Sequence, residues 1–187
     1  MSNDKSAEKT AYPINLLRKI GVTSDIGKEL IKCLEAAIDL LDSKQQYVLL
    51  SHIRDNQTFK DIGYKFNLYP KRIISIHNTA LGILRKQYPE VLIEDLFHLL
   101  YDDDGLLLTF RIHNRLDEEK YNKVKEIIIG FISIWKTKDV IPKKAFLMIL
   151  DLNDTLVGGS RFLNDEETIK AKDASIEIYS LLQDLWD

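Results

Sequence analysis

Apolar residues recur at helical spacing along most of the chain. From Ile26, residues Leu30, Leu34 and Ile38 follow at every fourth position, with Ile31 and Leu41 widening the stripe. This period predicts an amphipathic helix over 24–41 with Ser24 as its cap. Asp42 and Ser43 restart the pattern as a new N-cap, and Val48, Leu49 and Ile53 give a second helix ending near Arg54. Asp55-Asn56-Gln57 reads as a turn. Thr58 then caps a short helix through Phe66, with Asp61 placed where an acid reaches back to the cap. Asn67 breaks that helix, because Asn tolerates the left-handed conformation of a tight turn. Pro70 opens the next one, since the first helical position has no use for an N–H. Ile73, Ile76, Ala80, Leu81 and Leu84 form its apolar face as far as Gln87. Pro89 is expected to stop it, leaving 90–100 as a short helix or turn-rich connector.

The second half has a different texture. Asp102-Asp103-Asp104-Gly105 marks a turn, and Leu106 to His113 (LLLTFRIH) is β-leaning and bounded by Gly105 and Asn114, which predicts a strand. A helix is expected over 117–135. Ala145 to Leu152 (AFLMILDL) is a short apolar run that periodicity leaves open between a buried strand and a core helix. Asn153-Asp154-Thr155 and Gly158-Gly159-Ser160 read as breakers, and an acidic first turn opens a last helix over 165–186. The expected fold is mainly α. A polar, disordered tail (1–11) precedes an N-terminal helical helix-turn-helix domain (12–100), and a small acidic α+β domain (101–187) follows.

Composition narrows the classes. At 45% hydrophobic and 29% charged residues the chain can bury a core, which excludes wholesale disorder and collagen-like repeats. The sequence holds no uncharged apolar window of roughly 18 residues and no signal-peptide stretch before Tyr12, so a cytoplasmic protein without a membrane partner is expected. Cys33, the single cysteine, has no partner for an internal disulfide or a cysteine-based zinc site. Charge is uneven: 14 Lys and Arg face 10 Asp and Glu over 1–90, whereas 12 face 19 over 91–187. Ser43 to Tyr88 alone carries net +6, a split that points to nucleic acid as the partner of the basic half.

Helix, short helix, Asn-centred turn and long helix over 41–85 have helix-turn-helix spacing. Leu41-Asp42-Ser43-Lys44-Gln45-Gln46-Tyr47-Val48-Leu49, Thr58 through Phe66, Arg72-Ile73, Ile76 and Ala80-Leu81-x-x-Leu84-Arg85 resemble region four of bacterial sigma factors. That region binds the promoter −35 element. The resemblance spans these 45 residues only, and no segment resembles sigma region two. It implies that the helix from Pro70 enters the major groove while Thr58 to Phe66 crosses the backbone. The base-reading positions would then be Pro70, Lys71, Ile74 and Ser75, where primary sigma factors carry Arg, Glu, Arg and Gln. Most base-specifying pairs are therefore gone, and a standard −35 element is not the expected target. Lys71 retains chemistry for guanine, Ile74 for a thymine methyl, Asn78 for adenine, and Ser75 is permissive. Arg72, Lys60, Lys65 and Lys44 are cast as phosphate contacts, and Tyr69 as a contact to the backbone or to RNA polymerase.

Catalytic chemistry finds no coherent set. Asp151-x-Asn153-x-Thr155 after an apolar run resembles the first motif of haloacid dehalogenase-type phosphatases, but Asn153 stands where a general acid is needed. His52, His77, His98 and His113 lack metal-ligand spacing, and Asp102–Asp104 lacks a calcium-loop pattern. No enzyme, cofactor or metal is expected. The leading expectation is a DNA-binding transcriptional regulator of sigma-region-four type, contacting double-stranded DNA and RNA polymerase and acting as a homodimer. The alternative is a protein-interaction module, binding polymerase or a toxin, that keeps the helix-turn-helix without reading bases.

Overall fold

In the computed structural model, which describes residues 11–136, 138, 140–159 and 163–185, all regular structure is helical. Among the described residues the order is α1 (Ile14–Ile20), α2 (Lys28–Asp39), α3 (Ser43–Ile53), α4 (Phe59–Phe66), α5 (Pro70–Tyr101), α6 (Leu106–His113), α7 (Glu118–Trp135), α8 (Lys143–Gly159) and α9 (Asp165–Gln183). The chain divides into two compact units. One contains 11–22 and Leu34–Lys86, the other Thr23–Cys33 and the described residues from Gln87 onward. Helices α2 and α5 thus supply residues to both. Residues 1–10 of the tail expected over 1–11, the breaker at Ser160 and the helix end at Trp186 lie outside the described residues.

The second half holds no strand among its described residues, which corrects the expected α+β domain. The predicted strand over 106–113 is helix α6, entered from an extended Gly105 and ended by a left-handed Asn114 at φ 49°. Its buried residues are Leu106, Leu107 and Phe110, a helical spacing; a strand buries alternate residues instead. Leu108 to His113 does alternate apolar and polar residues, yet Leu108 and Ile112 are exposed while Phe110 is buried, so the packing partner rather than the local alternation decides. That partner is α8, and a helix spends its own N–H and C=O groups internally, offering no edge for a β-ladder. The run over 145–152 is also helical, because Ala145, Met148, Ile149, Leu152, Thr155 and Leu156 continue one buried stripe. Asn153 therefore sits within α8 rather than breaking it, and its Oδ1 accepts the Ser175 hydroxyl of α9 at 2.7 Å. Asp151, the residue of the phosphatase-like motif, accepts the Tyr101 hydroxyl at 2.8 Å.

Pro89 lies inside α5 rather than after it. Its missing N–H and ring clash cost roughly 3 kcal/mol. Tyr88, Leu92, Ile93, Leu96 and Leu100 nevertheless form a buried stripe that runs past it. Each such side chain contributes about 1.5–3 kcal/mol on burial, so packing outweighs the lost bond. The Tyr88 hydroxyl donates to the Leu30 carbonyl at 3.0 Å, tying α5 to the start of α2.

α2 begins at Lys28, and Ser24 does not cap it: its Oγ is buried with no hydrogen-bond partner among the described residues. The cap comes from α7, whose Glu126 Oε1 accepts the Leu30 N–H at 2.9 Å and places a negative charge at the positive end of the helix dipole. Gly27 makes room for it, since a Cβ there would lie 2.3 Å from the Glu126 carboxyl group. Glu126→Ala should destabilise this unit by about 1 kcal/mol, as loss of a helix cap does. Gly27→Ala should cost a similar amount by displacing the carboxylate. In urea unfolding the double variant should lose less than the sum of the two; strict additivity would show that they act separately.

Candidate nucleic-acid interface

Local chemistry sets the ends of α3 and α4. Asp42 and Gln45 form a reciprocal capping box, with Gln45 N–H donating to Asp42 Oδ1 at 2.8 Å and Asp42 N–H to Gln45 Oε1 at 3.3 Å. Thr58 Oγ1 accepts the Asp61 N–H at 3.2 Å and donates to the Asp61 carboxylate at 2.6 Å. Asp61 thus answers the cap through the Thr58 hydroxyl rather than its backbone. Asn67 is left-handed at φ 51° and ψ 46°, and the Leu68 N–H returns to the Gly63 carbonyl at 2.9 Å, closing the turn into Pro70. Val48, Ile62 and Ile73 form a fully buried centre, flanked by Tyr47, Phe59, Phe66, Leu68 and Ile76. Each of the three helices supplies one central residue, which is how a helix-turn-helix is held.

Gly63 is the tightest point of this assembly. It is buried, and a Cβ there would lie 2.6 Å from the Leu68 carbonyl oxygen, which is backbone and cannot swing aside. A second aromatic layer lies beside the core. His52 stacks on Phe59 at 3.9 Å between centroids, and His77 meets both rings edge-on at 5.1 and 5.3 Å. His52 Nδ1–H donates to the Gln57 carbonyl at 2.9 Å. His77 is 7% exposed, and its Nε2 has no hydrogen-bond partner among the described residues. Burial holds the His77 imidazole below its ordinary 6.5, against the Asn78 hydrogen bond, which acts to raise it, and with the Lys19 ammonium adding to the depression.

The residues singled out by sequence fall into three groups. On α5, Lys71, Arg72, Ile74, Ser75 and Asn78 are all exposed, whereas Ile73, His77 and Ala80 face inward. At the turn, Lys60 and Tyr69 line one open hollow of about 560 Å³ with Tyr64, Asn67, Leu68 and Pro70. Tyr64 and Tyr69 are 74% and 86% exposed. Lys44 and Lys65 flank the Tyr47–Phe66 aromatic pair: Lys44 Nζ lies 5.3 Å from the Phe66 centroid, and Lys65 Nζ lies 4.1 Å from the Tyr47 ring while donating to its hydroxyl at 2.8 Å. That hydrogen bond pulls the Tyr47 phenol below its ordinary value.

Pairing distinguishes these cations. Among the described residues, no ion pair involves Lys44, Lys60, Lys65, Lys71 or Arg72; in this unit only Arg54 is paired, with Asp55 at 2.8 Å. In the other unit Lys32, Lys120, Lys123, Lys125, Lys144 and Lys170 all hold carboxylates. The cations on α3, α4 and the start of α5 thus carry no direct ion pair among the described residues. Sequence reasoning did not include Arg18 and Lys19. With Arg54 they line a hollow of about 840 Å³ that also takes in Thr58 and Phe59 at the start of α4 and has no carboxylate in its wall. Tertiary structure brings them there, with the Asn15 amide of α1 donating to the Ile53 carbonyl of α3 at 3.4 Å, and no motif announces it. Among the described residues no cluster of His, Cys, Asp and Glu is arranged to hold a metal ion. No family model, characterised protein or solved structure matches the chain.

Gly63→Ala should destabilise the basic unit by about 1–3 kcal/mol in denaturant unfolding, despite the roughly 1 kcal/mol that Ala gains in helix propensity; a neutral or stabilising result would refute the close-approach argument. For His77 the sign follows from linkage. The unfolded chain takes up a proton near pH 6.5 while the folded unit keeps the ring neutral to lower pH. Its contribution is therefore complete above pH 6.5 and lost as pH falls below it. Thermal unfolding from pH 7.5 to 5 should show a shallower decline for His77→Phe than for the parent chain.

Proposed function

We propose that the chain is a DNA-binding transcriptional regulator that uses a helix-turn-helix of sigma-region-four type. What supports this most is the concentration of unpaired, exposed cations on a helix-turn-helix whose long helix presents a solvent face. Arg72, Lys60, Lys65 and Lys44 neutralise phosphates, with Tyr69 hydrogen-bonding the backbone from the turn. Lys71, Ile74, Ser75 and Asn78 approach base edges from the first turns of α5. So few base contacts make one copy a weak reader, and two copies on adjacent half-sites gain affinity through effective concentration. The reading therefore includes a homodimer on DNA, and RNA polymerase as the protein partner of the basic unit. No helix among the described residues is long and apolar enough to cross a membrane.

One observation favours a second reading. Tyr64, Tyr69 and Ile74 leave apolar and aromatic surface exposed around the head of α5. Such surface suits a protein partner, polymerase or toxin, as well as a groove.

Fluorescence anisotropy with a random duplex at several salt concentrations separates the two. Four to six phosphate contacts give a slope of log K against log salt of about −3.6 to −5.4. Arg72→Ala and Lys60→Ala should each reduce its magnitude by about one while weakening all sequences alike. Absence of binding at low salt would leave only the protein-interaction reading.

A further inference from the structure

We infer that the solvent face of α5 selects A·T base pairs, with Ile74 packing on a thymine methyl and Asn78 pairing with an adenine; this rests on the duplex-DNA reading above. Lys71, Ile74, Ser75 and Asn78 follow at i, i+3, i+4 and i+7, and all four are exposed. They form one stripe about 10 Å long at 1.5 Å per residue, some three base steps at 3.4 Å each. Arg72 lies about 100° round the helix from Lys71, on the flank of the stripe and on the side of a strand rather than a base edge.

Each base edge in the major groove asks for a particular group. The cytosine amino group is specified by a carboxylate acceptor, guanine O6 and N7 by an Arg or Lys, and a Ser hydroxyl is indifferent between bases. Adenine N6 and N7 take a side-chain amide in bidentate fashion, and thymine offers an apolar methyl. The stripe contains no carboxylate, so nothing on it favours cytosine, and the one donor suited to guanine, Lys71, stands at its N-terminal end. What occupies its middle is Ile74, a branched apolar side chain 38% exposed although the core beneath is already filled by Ile73. Against cytosine, Ile74 would strip water from the amino group and return no acceptor. Against thymine it covers the methyl. One turn on, Asn78 carries an acceptor for adenine N6 and a donor for N7. Its Oδ1 lies 3.3 Å from the buried His77 Nδ1, a contact that leaves Nδ2 and one oxygen lone pair for the base.

The test uses the full chain and a duplex library randomised over 14 base pairs, followed by anisotropy on the enriched duplex and on copies with single thymines replaced by uracil, which removes only the methyl. The expected pool is enriched in A·T at neighbouring positions. One uracil should weaken the parent chain about fourfold, the equivalent of one methyl-sized group, and should leave Ile74→Ala unaffected. Asn78→Ala should lose the preference at the adjacent adenine. Ile74 and Asn78 are exposed, so both variants should retain the parent circular dichroism spectrum. Binding without A·T enrichment, or a uracil penalty as large in Ile74→Ala as in the parent chain, overturns this inference and leaves DNA binding standing. Failure to bind any duplex at low salt overturns both.

Discussion

The helix-turn-helix depends on one close approach of backbone to backbone. The Leu68 carbonyl comes within 2.6 Å of where a Gly63 Cβ would stand, and the Leu68 N–H closes back on the Gly63 carbonyl at 2.9 Å. The chain can make that return only because Gly63 has no side chain and Asn67 accepts a left-handed backbone. From this follow the start of α5 at Pro70, the descent of Ile73 onto Val48 and Ile62, and the outward placement of Lys71, Ile74 and Asn78. The exposed face of α5 is in this sense the far side of a packing constraint.

Charge is organised by the same division of labour. In the acidic unit, six lysines among the described residues pair with carboxylates on their own or neighbouring helices, as with Lys170 held by Glu118, Glu166 and Glu167. Such exposed pairs add little stability, but they cancel the local field. In the basic unit Asp61 binds the Thr58 hydroxyl, Asp55 pairs with Arg54 and Asp42 caps α3. The cations are left to face solvent or to lie over aromatic rings, as Lys44 does over Phe66 and Lys65 over Tyr47. A chain of net −3 can thus present a strongly positive surface where its helix-turn-helix lies.

Much of the basic unit was legible in the sequence because its signals are local. The Asp42 and Thr58 caps, the left-handed Asn67, Pro70 at the first helical position and the Val48–Ile62–Ile73 core each depend on residue type at short spacing. The exposure of the α5 stripe follows from the same periodicity. Less was legible beyond it. The β-leaning composition of LLLTFRIH and the Asn and Gly residues after Leu152 suggested strands and breaks, yet both segments are helical because helices are what they pack against. Arg18 and Lys19 carried no signal of a site, since only tertiary structure sets them beside the start of α4.

On its own, then, the sequence determined the caps of α3 and α4, the turn between α4 and α5 and the segregation of charge, all of which arise within a few residues of one another or from composition. Tertiary structure decided what lies outside that range. It carried α5 through Pro89, because buried side chains on one continuous face outweigh one lost backbone bond. It chose helix over strand for α6 and α8, because each buries a helical stripe against neighbouring helices, even though Leu108 to His113 alternates as a strand would. It capped α2 with Glu126, a residue 96 positions away, in place of the serine expected to do so. A hydrogen bond across that separation is set by packing, and no window along the chain contains both ends of it.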